Sequence, residues 1–267
     1  MTKSLIERLG QGASAVLDFA DPHLETCSRI AGGNIFALDR FEVPGLDCHI
    51  FSLPRHHAAT GGDLYHVTVC GYRMKSKFLL VDARGVGDAA TVLASRLSEI
   101  MGRMAGQPDN TGLLRAINTQ VYHENDTLPA LASVMAATYN NRDASWTFAS
   151  AAHPGMLFQR DGKWSELRVE GETTLPVGML RESRYYQTIT RLQPGDRILM
   201  YSNGVLDTIA RDKATINVAG LLEQISSTGP EPTGLFFHAL IERLVEINHG
   251  TDFDHDLTLM LIEHKGK

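Results

Sequence analysis

Gly61-Gly62-Asp63 opens a run that Leu79-Leu80-Val81-Asp82-Ala83-Arg84-Gly85-Val86-Gly87 closes, and the residues between read as strand, turn, strand, with the turn near Tyr72 to Ser76. A hairpin folded about its centre brings Asp63 and Asp82 opposite each other at its open end. Directly opposed residues of an antiparallel pair lie about 4.5–5.5 Å apart at Cα. Like charges that close destabilise a sheet. A cation between the two carboxylates resolves the conflict, so this stretch marks a candidate metal site as well as a sheet.

Composition narrows the setting. With 267 residues and 43% hydrophobic content the chain can bury a sizeable core. No linker-like tract or internal repeat divides it, so a single domain over residues 1–267 is expected. The formal charge is −6 and no basic stripe runs along the chain, which argues against nucleic acid as a partner. The group Arg73-Met74-Lys75-Ser76-Lys77 reads as a solvated turn. There is no signal-peptide pattern and no stretch approaches the roughly 18 apolar residues of a membrane span. Cys27, Cys48 and Cys70 lack metal-type spacing and read as reduced thiols of a cytoplasmic protein.

The periodicities alternate in blocks. Leu5, Ile6, Leu9, Val16 and Leu17 share a helical face over residues 4–18. From Asn34 to Gly71 the pattern is extended, broken at Pro44-Gly45 and Pro54. Phe78 to Val81 is apolar on both faces, as in a central strand. Val92, Leu93, Leu97, Ile100, Met101 and Met104 predict one helix, and Leu113, Leu114, Ile117 and Val121 a second after Pro108-Asp109-Asn110. Extended segments follow at 131–140, 146–152, 156–159 and 164–167, the last two joined by Asp161-Gly162, a hairpin signal. A strand over 197–201 follows Pro194-Gly195 and ends at Asn203-Gly204. Helices near 218–225 and 234–247 precede a last strand, 257–262. Strands, helix pair, strands, helices and strand in that order predict an α+β class with mostly antiparallel sheets.

Several phrases recur in a telling order: Gly61-Gly62-Asp63, Asp82-Ala83-Arg84-Gly85-Val86-Gly87, Ala151-Ala152-His153-Pro154, Leu175-Pro176-Val177-Gly178, Leu192-Gln193-Pro194-Gly195-Asp196, and Asp256-Leu257-Thr258. From about residue 45 onward the chain resembles the metal-dependent protein phosphatases of PPM type, in their bacterial SpoIIE/RsbU-like serine phosphatase branch. The resemblance implies a four-layer α/β/β/α sandwich, two stacked sheets flanked by helices, with a metal site at one edge. Residues 1–44 would add a helix and strand to that core. It also implies Mn²⁺ or Mg²⁺ as cofactor and a phosphoprotein or signalling protein as partner. Divalent ions of this kind favour carboxylate oxygens, lower the pKa of bound water and clamp phosphate oxygens.

Carried over position by position, the implied metal ligands are Asp63, Asp82, Asn203 and His255. Ala83, Gly85, Gly87, Gly204, Asp256 and His153 lie near the site. Two of the four ligand positions depart from the family, which has carboxylates where Asn203 and His255 stand, and Val86 replaces its histidine between two glycines. Asp63 and Asp82 thus supply half of the expected negative charge, and one ion rather than two is expected. His255 offers nitrogen, which suits Mn²⁺, Fe²⁺ or Zn²⁺ better than Mg²⁺. Of Asp254 and Asp256, at most one can assist, because alternate strand residues face opposite ways.

Each residue also has a plain structural reading. Gly-Gly-Asp alone is a turn, Asp82 a turn cap, and Asn203-Gly204 a type I′ turn. His255 reads as a solvated or packed histidine, His153 as a strand-end histidine, and Asp207 as a surface or capping residue. His56-His57 diverge on a strand and do not form a metal pair. Two functions follow: a phosphatase that hydrolyses phosphoserine or phosphothreonine by metal-activated water, without a phosphoenzyme, or a pseudophosphatase that docks a phosphoprotein or signalling partner.

Overall fold

The computed structural model describes residues 28–70, 74–85, 88–104, 107, 109–124, 130–171, 174–210, 218–228 and 231–266. The helix expected over 4–18, Cys27, the turn residues 71–73, Val86, Gly87 and Pro108 lie outside the described residues.

Strands β4 (Asp63–Val69) and β5 (Lys75–Gly85) form the predicted hairpin, and its register pairs Asp63 with Asp82. β5 is central because both its faces are apolar. Around it lie β1 (Ser28–Gly33), β6 (Ala130–Asn140), β7 (Ser145–Ala151) and β10 (Gln187–Arg191), in the order β1-β4-β5-β6-β7-β10. The second sheet comprises β2 (Ala37–Val43), β3 (Leu46–Leu53), β8 (Met156–Arg160), β9 (Lys163–Leu167), β11 (Arg197–Tyr201) and β12 (Leu257–His264). Its order is β2-β3-β12-β11-β8-β9, and all pairings in both sheets are antiparallel. Asp161 and Gly162 turn β8 into β9 with φ of 51° and 75°, the left-handed pair a two-residue hairpin needs.

The period of two in the strands sorts their side chains into layers. Tyr65, Val67, Phe78, Leu80, Met135 and Ala137 face across to Cys48, Ile50, Ile198, Met200, Met260 and Ile262, forming the core between the sheets. The alternate residues, Leu64, Leu79, Val81 and Val134, face outward. Leu93, Leu97, Ile100 and Met101 of α1 (Ala89–Met104) and Leu113, Leu114, Ile117 and Val121 of α2 (Asn110–Glu124) cover them. On the other side, α3 (Asn203–Ala210), α4 (Val218–Ser227) and α5 (Thr233–Ile247) cover Phe51, Leu199, Leu259 and Leu261. The result is the expected α/β/β/α sandwich. Among the described residues, no helix is long and apolar enough to cross a membrane.

Several local expectations change. Val92 is 38% exposed, since the buried stripe of α1 runs through Leu93, Leu97 and Met101 and leaves it on the flank. Lys75, Ser76 and Lys77 are strand rather than turn, and buried Lys77 donates its ammonium to the Gln107 carbonyl. Strand β10 carries no apolar run to announce it. It is an edge strand whose Ile189 is 65% exposed. Asn203-Gly204 opens helix α3 instead of a type I′ turn. The glycine is needed for close approach, because a Cβ there would lie 2.0 Å from the Asp256 carbonyl oxygen.

Two of the family-like phrases prove to be scaffold. Asp196 accepts two bonds from the Arg160 guanidinium, at 2.6 and 3.1 Å, and one from the Gln193 amide. Val177 bridges to Ala132 of β6, and Asn118 holds the neighbouring Gly178 amide at 2.9 Å. Phe78 is fully buried between the sheets with its ring 5.2 Å from that of Trp146. Phe78→Ala is expected to cost about 3–5 kcal/mol of stability, read as a lowered midpoint in urea unfolding.

Candidate metal centre

Following the inward face of each strand one step beyond the apolar core reveals the site. Phe78 and Leu80 lead to Asp82, Val67 and Tyr65 to Asp63, and Ala137 and Met135 to Ser133. On the facing sheet Met200 leads to Ser202, Ile262 and Met260 to Thr258, and Ile50 to Ser52. The register aligns Asp63, Asp82 and Ser133 across one sheet and Ser52 with Thr258 across the other. The inter-sheet core therefore ends in a polar layer. Ser202 and Thr258 exchange bonds through the Ser202 amide (2.9 Å) and the Thr258 amide (3.0 Å), and the Ser52 and Thr258 hydroxyls meet at 3.2 Å.

Asp63 is 4% exposed and Asp82 7%. Burial pushes the Asp63 carboxyl well above the usual carboxylate range, and the neighbouring Asp82 charge pushes it further. The Ser202 and Thr258 hydroxyls offset only part of this. One oxygen, Asp63 Oδ2, is buried with no hydrogen-bond partner. Asp82, by contrast, is well supplied. Asn203 donates its amide to Asp82 Oδ2 at 2.6 Å, and Arg84 approaches both oxygens at 3.4 and 3.5 Å.

The pair opens on a cleft of about 250 Å³, lined among others by Ala83, Arg84, Gly85, Gly204, Asp207, His255 and Asp256. Asp256 shares the inward parity of Thr258. It accepts from the Gly62 amide at 2.6 Å and the Arg55 amide at 2.8 Å, holding the Gly-Gly turn against the sheet end. Gly62 has no room for a side chain, since a Cβ would meet the Ala83 carbonyl at 2.6 Å. His255, in the bend before β12, is 57% exposed and lines the cleft with Nε2 3.9 Å from Asp207 Oδ2. Asp207 is no surface cap. From α3 it reaches the cleft and lies 3.7 Å from Arg84. His153 is buried behind the site with Nδ1 2.8 Å from the Pro154 carbonyl, and burial lowers its pKa. Since a carbonyl only accepts, Nδ1 carries the proton there.

The sequence of the chain matches the family model described as Stage II sporulation protein E (SpoIIE) over residues 74–265. The chain belongs to the SpoIIE family. It is 27% identical over 169 residues to "Phosphoserine phosphatase RsbU" of Bacillus subtilis (strain 168), covering 61% of this chain and 47% of that one, so it spans about half of that relative's length. The SpoIIE fold is seen directly in the PP2C phosphatase domain of the Bacillus subtilis cell-fate determinant SpoIIE, at a TM-score of 0.69 and 14% identity, over 82% of this chain and 63% of that one. The catalytic domain of the serine threonine protein phosphatase PstP, solved with two manganese ions, superposes with a TM-score of 0.59 at 15% identity, over 82% of this chain and 97% of that one. At these identities the structural likenesses establish the fold.

Whether the residues here suit a divalent ion is a question for their chemistry. Among the described residues, no three His, Cys, Asp or Glu side chains form a ready-made metal cage. Two opposed carboxylates with an unpartnered buried oxygen nevertheless fit one hard ion of the Mg²⁺ or Mn²⁺ type. Such ions commonly use one or two carboxylates and complete their shell with water and phosphate oxygens. Asn203 lies beside the pair, with its amide nitrogen donating to Asp82 Oδ2 at 2.6 Å.

The raised Asp63 pKa has a definite sign. The folded, metal-free chain holds this proton more tightly than the unfolded chain. The stability it contributes is therefore full below the ordinary carboxylate pKa and is lost as pH rises through the raised value. In thermal melts of metal-free protein, Asp63→Asn is expected to raise the midpoint at neutral pH and to have little effect at pH 4. An unchanged or lowered midpoint at neutral pH refutes this account.

Proposed function

We propose that the chain is a metal-dependent protein serine/threonine phosphatase, hydrolysing a phosphoserine or phosphothreonine ester on a cytoplasmic signalling protein. The observation that carries this reading is the unpartnered Asp63 Oδ2, buried opposite Asp82 at the mouth of an acidic cleft. An uncompensated buried carboxylate is costly, and a cation relieves it. Family membership and the name of the RsbU relative support the substrate class.

In this reading Asp63 and Asp82 hold one Mn²⁺ or Mg²⁺ ion. When bound, that ion lowers the pKa of water and offsets charge on the phosphate oxygens. The chain's own residues prepare the place. Asn203 fixes the Asp82 carboxylate through a 2.6 Å bond. Ser202 and Thr258 steady Asp63 from the facing sheet. Asp256 clamps Gly62 and so sets where β4 begins. The cleft is open to solvent on the side of Arg84 and His255, both more than half exposed, which suits entry of a phosphorylated side chain.

The contacts of Arg84 and Asn203 with Asp82 favour a second reading, because they satisfy one carboxylate without a metal. A regulatory binding module would need no more. Hydrolysis of p-nitrophenyl phosphate and of a phosphoserine peptide separates the two. The phosphatase reading expects Mn²⁺-dependent turnover in the natural chain, abolished in Asp63→Ala and Asp82→Ala and increased by Asn203→Asp combined with His255→Asp. Turnover that arises only in the double variant identifies the natural chain as a binding module.

A further inference from the structure

Between β9 and β10 the backbone of residues 174–181 is gripped by the scaffold at several points. Val177 bridges to Ala132 of β6 through bonds of 2.9 and 3.4 Å. Asn118 of α2, 2% exposed, accepts from the Gly178 amide at 2.9 Å and donates to the Leu180 and Arg181 carbonyls at 2.9 and 3.2 Å. Thr174 donates its hydroxyl to the Ser150 carbonyl at 2.8 Å. Val177 buries its side chain under this grip, but Leu175, Met179 and Leu180 stay 37%, 48% and 50% exposed. Tyr122 lies one helical turn beyond Asn118 on the same face of α2 and is 37% exposed. Half of the eight large apolar side chains exposed among the described residues thus belong to one place, while the other four sit singly on separate elements. Clustered exposed apolar groups mark interaction surfaces, unlike scattered ones.

This shelf adjoins the cleft. Ala132 pairs with Val177 on one side and with Ala83, which lines the cleft, on the other. Two strand spacings put Val177 about 10 Å from Ala83. Arg181 and Arg184 follow the shelf, exposed and without an ion pair among the described residues, and outnumber Glu182. In a chain of formal charge −6 these arginines are a local exception that complements a phosphorylated, negatively charged partner. We propose that Leu175, Met179, Leu180 and Tyr122 dock the phosphoprotein whose phosphoserine or phosphothreonine enters the cleft, through a large apolar side chain about three residues from the phosphorylated one. The spacing follows from the rise of an extended chain, about 3.3 Å per residue. The proposal deepens the phosphatase reading and rests on it for the identity of the docked group. Because the backbone is already fixed, little ordering cost is left for association.

Two phosphoserine peptides test this, identical except that one has leucine and the other serine three residues to either side of the phosphoserine. Without added metal, fluorescence anisotropy is expected to show the natural chain binding the leucine peptide about tenfold more tightly. Met179→Ser with Leu180→Ser should erase that preference and leave the thermal midpoint and Mn²⁺-dependent hydrolysis of p-nitrophenyl phosphate unchanged. In turnover of the leucine peptide the same variant should raise KM and spare kcat. Equal binding of the two peptides by the natural chain, binding of neither, or a preference that survives in the variant overturns the proposal. So does a dimer of the natural chain that the double variant abolishes with peptide affinity unchanged, since it assigns the shelf to a second copy. A preference lost in the variant, with no hydrolysis of p-nitrophenyl phosphate by the natural chain, upholds the shelf and refutes the phosphatase reading. Hydrolysis without a preference does the reverse.

Discussion

Two carboxylates face each other across an antiparallel pair at the end of a dry core, and much of the surrounding structure answers that conflict. Asp63 and Asp82 are nearly inaccessible to water, so their mutual repulsion is weakly screened. The facing sheet supplies hydroxyls to Asp63, while α3 supplies an amide and β5 a guanidinium to Asp82. One oxygen is still left without a partner. An arrangement that costs stability in the empty protein gains when a cation binds, which is how many binding sites are held open.

The same interactions tie the layers together. Asp63 belongs to one sheet, whereas Ser202 and Thr258 belong to the other, so the polar layer is also a seam between them. Asp256 extends the seam by clamping the Gly62 amide from the second sheet's side. The close packing shows in Gly62 and Gly204, where even a methyl group would strike a backbone carbonyl. Site and sandwich are therefore one construction. The apolar alternation that stacks the sheets also aims the polar residues into the cleft once the apolar run stops.

Much of this was legible in the chain. Opposed strands about a central turn predict the Asp63–Asp82 pairing, and the structure has that register. The helices carrying Leu93, Leu97, Leu113 and Ile117 fall where their periodicity puts them. What escaped detection had weak local signals. Strand β10 is a polar edge with little to bury, and the Asn203-Gly204 helix start carries the residues of a hairpin turn. Asp207, Ser133 and Ser202 matter through partners far away in sequence. One local signal did exist for the hydroxyls: alternation continued one residue past Met200 and Met260 reaches Ser202 and Thr258.

The α+β class and the facing carboxylates were thus legible in sequence alone, because strand and helix periods and a short hairpin are local properties of the chain, while the family and the sandwich layers followed from the resemblance of its ordered phrases. The tertiary structure decided which way the remaining groups turn. It sends Asn203 to Asp82 as a donor, turns His255 toward Asp207, and sets Arg84 between Asp82 and Asp207. Those outcomes depend on how β5, α3 and the start of β12 meet at the rim of the sandwich. No periodicity encodes contacts between residues so far apart in the chain; only the packing of the two sheets and α3 brings them together.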